Sequence, residues 1–80
     1  MATLSRQAKQ DLGGLPDALR KRAEETIARL DSEPALGKKL LGKLQGLRST
    51  KLGRTHRIIY RVVDEGPQVV TIVQRKDAYR

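Results

Sequence analysis

The sequence predicts an α+β fold: an N-terminal helical hairpin packed on a three- to four-stranded antiparallel sheet. Two observations carry the prediction. Apolar residues recur at three- and four-residue steps through the first 30 positions. From Leu47 onward the pattern changes to runs of β-branched residues separated by short turn signals. At 80 residues there is room for one domain, 1–80. With no Trp and no Phe, the core has to be built from Leu, Ile, Val and Ala.

Residues 1–4 leave a fourth, edge strand open. Ser5 caps a first helix, Arg6 to Leu12, which Gly13 and Gly14 end. Leu15, Pro16 and Asp17 open a second and longer helix, with proline in the first turn and a carboxylate at the positive end of the dipole. Its apolar stripe is Leu15, Leu19, Ala23, Ile27 and Leu30. Arg20 and Glu24, and Lys21 and Glu25, are spaced as pairs on the outer face. The helix stops before Pro34.

In residues 35–46 three glycines argue against a long helix, and a turn of helix around Lys38 to Leu41 followed by a loop is expected. Leu47 to Leu52 reads as a strand, and Gly53 to Thr55 as a turn. His56 to Val63 is the strongest strand signal, with Ile58, Tyr60 and Val62 on one face and Arg57, Ile59, Arg61 and Val63 on the other. Asp64 to Pro67 is a turn. Gln68 to Gln74 is continuous in β-branched residues, which predicts a strand buried on both faces. Short connections make these three strands an antiparallel meander.

Charge is informative. The formal net charge is +8. Residues 1–40 carry eight Lys/Arg against six Asp/Glu, whereas residues 41–80 carry nine against three. The excess therefore lies in the half with the strands, which suits nucleic acid, an acidic membrane or an acidic protein. We read nucleic acid first, because the excess tracks one structural half. The absence of cysteine excludes a disulfide framework and a thiolate metal site. No run is apolar enough for a signal peptide or a membrane span, so a soluble cytoplasmic protein without membrane contact is expected. A single histidine, His56, offers no metal cluster, and no cofactor is expected.

What remains is a set of cations and one tyrosine: Lys51, Arg54, Arg57, Arg61, Arg75, Lys76, Tyr79 and Arg80. By composition and spacing the set reads first as a surface that holds a phosphate backbone or an acidic partner. It also has a use in cleaving RNA by its own 2′-hydroxyl, which needs a base, an acid and a stabiliser for the charged phosphorane. Arginine supplies the stabiliser through its planar fork. His56 reads as a histidine at the turn, Tyr60 as core, and Arg54 and Arg61 as rim charges.

The segment Lys43 to Asp64, KLQGLRSTKLGRTHRIIYRVVD, and the terminal VVTIVQRKDAYR resemble toxins of the RelE/ParE superfamily of bacterial type II toxin–antitoxin systems. His-Arg-Ile-Ile-Tyr at 56–60 and Arg-x-x-x-Tyr-Arg at 75–80 are the specific parts. The resemblance implies a helical hairpin on an antiparallel sheet. For RelE-like members it implies an endoribonuclease that cuts mRNA in the ribosomal decoding site. Carried over, the catalytic set is Lys51, Arg57, Arg75 and Tyr79. Arg57 stabilises the scissile phosphate, and Arg75 does the same or aids the leaving group. Tyr79 stacks on or deprotonates the reacting nucleotide, and Lys51 is base or charge stabiliser. Arg54, Arg61, Lys76 and Arg80 are the RNA-binding residues. The chain departs from many relatives at Gln74, where they carry His. The expected partner is a cognate antitoxin. ParE-type relatives, which inhibit DNA gyrase without nuclease activity, supply the alternative function, and a module that only binds its antitoxin or nucleic acid the third.

Overall fold

The computed structural model describes residues 2–40 and 46–77. The element order is β1 (Thr3–Leu4), α1 (Arg6–Gly13), α2 (Asp17–Ser32), β2 (Lys38–Lys39), β3 (Arg48–Leu52), β4 (His56–Val63), β5 (Gly66–Gln74) and a 3-10 turn at Arg75–Asp77. The class is α+β, as the periodicities predict. The sheet is larger than expected. Among the described residues it has five strands in the order β1-β5-β4-β3-β2. It is also mixed: β1 runs parallel to β5, pairing Thr3 with Gln68 and Leu4 with Val69, while the other pairings are antiparallel.

The stripe read from α2 does pack inward. Ala23, Ile27 and Leu30 join Ala8 of α1 in one cluster with Leu52, Ile58, Tyr60, Val69 and Ile72 of the sheet, flanked by Leu15, Leu19 and Leu36. Both helices therefore cover one face of the sheet. On that outer surface, however, Arg20 turns back to Asp17 rather than reaching Glu24. A carboxylate in the first turn lies three residues away, as close as the i,i+4 alternative.

Four expectations change. Lys38–Lys39 is extended, not helical, and pairs with Arg48 and Ser49 as an edge strand; Leu41 lies outside the described residues. The reason is the preceding loop. Tyr60 Oη accepts from Gly37 N at 2.7 Å and donates to Pro34 O at 2.8 Å, so residues 34–37 are pulled onto the sheet. Arg48 Nη1 also donates to Gly37 O at 2.9 Å. With the chain held there, 38–39 lies beside β3. Gly37 permits this approach, since a Cβ would come within 2.8 Å of Ser49 O.

Second, β5 begins at Gly66, so the β4–β5 turn is only Asp64 and Glu65. Gly66 takes the positive φ of 122°. Third, β5 is not buried on both faces. Its register against β4 shifts at Ile59/Tyr60, pairing Ile59 with Thr71 and Tyr60 with Val69, so Val70 is an extra residue. The bulge lets Val69 and Ile72, three apart, both reach the helices. Fourth, Val62 is 49% exposed, beside the turn and outside the core that Ile58 and Tyr60 share. The opposite face of the sheet carries a smaller cluster, Leu40 and Ile59 with Leu47 and Val73.

Beyond β1, α1 closes the outer edge of β5. Ser5 Oγ caps the helix by accepting from Ala8 N at 3.0 Å and donates to Val70 O at 2.6 Å. The Asp11 carboxylate accepts from Thr71 Oγ1 at 2.6 Å and from Ile72 N at 3.0 Å. These bonds satisfy backbone groups that an open strand edge leaves exposed.

Candidate functional site

The β3–β4 turn builds the site. Leu52 pairs with His56, and Gly53, Arg54 and Thr55 connect them. Gly53 has φ 63° and sits beneath α2, where a Cβ would meet Leu19 Cδ1 at 3.3 Å. The helix layer therefore holds the turn in place. On the β5 side, Arg75 N donates to Thr55 O at 2.7 Å, which ties the start of the 3-10 turn to the same loop.

Between these elements lies a cleft of about 210 Å³ lined by Lys51, Gly53, Arg54, His56, Arg57 and Arg75. The described residues lining it supply four cationic side chains and no carboxylate. Lys51 and Arg57 are directly opposed across β3 and β4. Like charges so placed destabilise a sheet. Their juxtaposition concentrates positive charge at this end of the sheet. Arg57 is half-buried, and its Nη1 donates to Ser49 Oγ at 3.3 Å. Ser49 is 1% exposed, so this acceptor is fixed in the sheet. Lys51, Arg54 and Arg75 are exposed.

The structure thus brings together three of the four residues predicted as catalytic, Lys51, Arg57 and Arg75, with Arg54 beside them. Tyr79 and Arg80 lie outside the described residues. Lys76 lines a neighbouring hollow with Thr55, His56 and Gln74. Arg61 stands apart: it is exposed towards the other end of β4, where Nε donates to Gln68 Oε1 at 2.8 Å. Four residues along a strand separate it from Arg57 by roughly 13 Å.

One supporting residue, Ser49, was not singled out from sequence. His56, read as a histidine at the turn, lines the cleft; its Nδ1 and Thr55 Oγ1 are 2.7 Å apart and share a hydrogen bond. Ser49 supports Arg57. Once the hairpin register is known, Ser49 falls two residues from Lys51 on the same face, diagonal to Arg57, which is the signal that finds it. Gln74 is the cross-strand partner of His56.

Fold and site together define a class of small basic α+β protein, with helices on one sheet face and a cluster of cations where three strands end. The comparisons narrow this. Over residues 2–79 the chain matches the family described as ParE toxin of type II toxin–antitoxin system, parDE. Among solved structures it is similar to the RelBE2 toxin–antitoxin complex from Mycobacterium tuberculosis, with 32% identity, a TM-score of 0.79, and 94% of this chain and 96% of that chain covered. It is similar to the YoeB–YefM complex from Staphylococcus aureus, at 25% identity and TM-score 0.78, covering 91% and 93%. The isolated RelE toxin of E. coli shares the fold at 20% identity and TM-score 0.77, covering 99% and 89%. No significant match is found among curated proteins. The chain belongs to the ParE toxin family of type II toxin–antitoxin systems, within the RelE/ParE superfamily.

Proposed function

We propose that this toxin is an mRNA endoribonuclease that works on the ribosome and is neutralised by a cognate antitoxin covering the basic surface. The observation that carries the reading is the convergence of Lys51, Arg57 and Arg75 on one cleft whose described lining has no carboxylate. In the reaction, the 2′-oxygen attacks the adjacent phosphorus and loses its proton to a base. The bond from phosphorus to the 5′-oxygen breaks, and that oxygen takes up a proton. The products are a 2′,3′-cyclic phosphate and a 5′-hydroxyl. Arg57, on the sheet and braced by Ser49, is suited to hold the equatorial oxygens of the phosphorane; Arg75 approaches from the β5 side. Lys51, which lines the same cleft, is suited to act as base or charge stabiliser. The toxin–antitoxin complexes among the similar structures support an antitoxin partner for this chain.

The match to the ParE family favours a second reading, in which the same fold binds and inhibits DNA gyrase. One experiment separates the two. Purified toxin is added to ribosomes programmed with a defined message, and in parallel to gyrase acting on relaxed plasmid. The nuclease reading expects cut message and unimpaired supercoiling. Intact message with blocked supercoiling assigns the protein to gyrase.

A further inference from the structure

We infer that the cationic cleft is the middle of a longer RNA track, which crosses the sheet from β5 to β2 and holds one nucleotide in a hollow on each side of the scissile phosphate. The inference rests on the nuclease reading and extends it to the RNA flanking the cut.

Each hollow shares lining residues with the cleft. On the β5 side, a hollow of about 430 Å³ is lined by Thr55, His56, Gln74 and Lys76, and His56 also lines the cleft. On the β2 side, a hollow of about 240 Å³ is lined by Leu36, Lys38, Ser49 and Thr50 together with Lys51 and Arg57 of the cleft. None of the described lining residues of the three spaces is an Asp or Glu.

The cations follow the strand order. Lys76 comes just after β5, Arg57 is on β4, Lys51 on β3 and Lys38 on β2. Three strand spacings give the track a width of roughly 14 Å. Each outer hollow combines one new cation with uncharged groups: Gln74 and Thr55 beside Lys76, Thr50 and Leu36 beside Lys38. A nucleotide asks for this mixture, a cation for its phosphate and amide, hydroxyl or apolar surface for its base. The hydrogen bond between Thr55 Oγ1 and the His56 ring braces the wall between the cleft and the β5 hollow. A lysine on an edge strand also discourages edge-to-edge pairing. That purpose is served equally by Lys39, whereas Lys38 is the one that lines the hollow.

The test uses Lys38→Ala and Lys76→Ala, both at exposed positions, in single-turnover cutting of ribosome-bound message. The message is offered at full length and also ending in a 3′-hydroxyl at the nucleotide that the 3′ hollow holds, which keeps the scissile bond and removes the next phosphate. On the full message each variant is expected to raise the toxin concentration for half-maximal cutting about 5- to 10-fold, the loss of one charged contact. On the shortened message one of the two variants, the one serving the 3′ side, loses its defect. Full-length cutting that is unchanged in both variants overturns the track and leaves the nuclease reading standing. A defect retained by both variants on the shortened message also overturns it. So does unchanged cutting with weakened antitoxin binding, which would assign the hollows to the antitoxin. If the unsubstituted toxin cuts no message, both readings fall together.

Discussion

Tyr60 holds the fold and the site in one side chain. Its ring is fully buried among the helix-facing residues, and its hydroxyl accepts from Gly37 and donates to Pro34. Tyr60→Phe keeps the ring and strands both loop groups in a buried setting. Stability should fall by about 1–3 kcal/mol, read as a lower denaturant midpoint. Asp11 provides a second check. Burial is the largest influence on its carboxyl and alone would push its pKa up. The hydrogen bonds from Thr71, Ile72 and Gln7 outweigh that and leave the pKa below the ordinary value of 3.8. A carboxyl with a depressed folded-state pKa stabilises the fold above its unfolded pKa, and that support is lost as pH falls through the folded value. Melting temperature should therefore drop below about pH 4, and Asp11→Asn should flatten that part of the profile while lowering stability at neutral pH. Neither residue announced its partners in sequence. Tyr60 was legible as core from its alternation with Ile58, but nothing local shows a hydroxyl reaching a loop 23 residues away.

The strands differ in how much of themselves they displayed. β4 was legible from its β-branched run and the turn before it from a glycine, which takes positive φ, whereas β3, Arg48–Leu52, has one β-branched residue and was read as a strand only as the segment leading into that turn. The α2 stripe was legible because a 16-residue helix repeats its signal several times. β1 and β2 have two residues each, too few for any period, and they form through pairings to β5 and β3 rather than through propensity. The bulge at Val70 is set by β4 and β5 together and leaves no mark in β5 alone. Two element-level substitutions follow from these contacts. Gly37→Ala pushes a Cβ against the Ser49 carbonyl and the Tyr60 ring, and should cost about 1–3 kcal/mol by overpacking. Ser5→Ala removes both the cap of α1 and its bond to Val70, and should cost about 1–2 kcal/mol. Each kcal/mol lost should lower the melting temperature by about 4–8 °C in a domain of this size.

Across the molecule, the main core lies on one face of the sheet, while the other carries the smaller apolar cluster and the cations of the cleft. The helices seal one face, and the cations gather where β3, β4 and β5 leave the other open. The charge asymmetry between the two halves of the sequence foreshadowed this division, but not which cations meet. Arg57 and Arg75 share the cleft because an antiparallel pairing and a backbone bond to Thr55 bring them there, while Arg61 on the same strand as Arg57 is carried away from it. No helix among the described residues is long and apolar enough to cross a membrane. The measurement that bears most directly on the site is the single-turnover cutting rate of ribosome-bound message by Arg57→Ala, Arg75→Ala and the double variant. If both guanidiniums stabilise one phosphorane, each single change lowers the rate by about 10²–10³-fold, and the double change costs less than the product of the two. Rates within a few-fold of the unsubstituted toxin in either single variant would contradict the account.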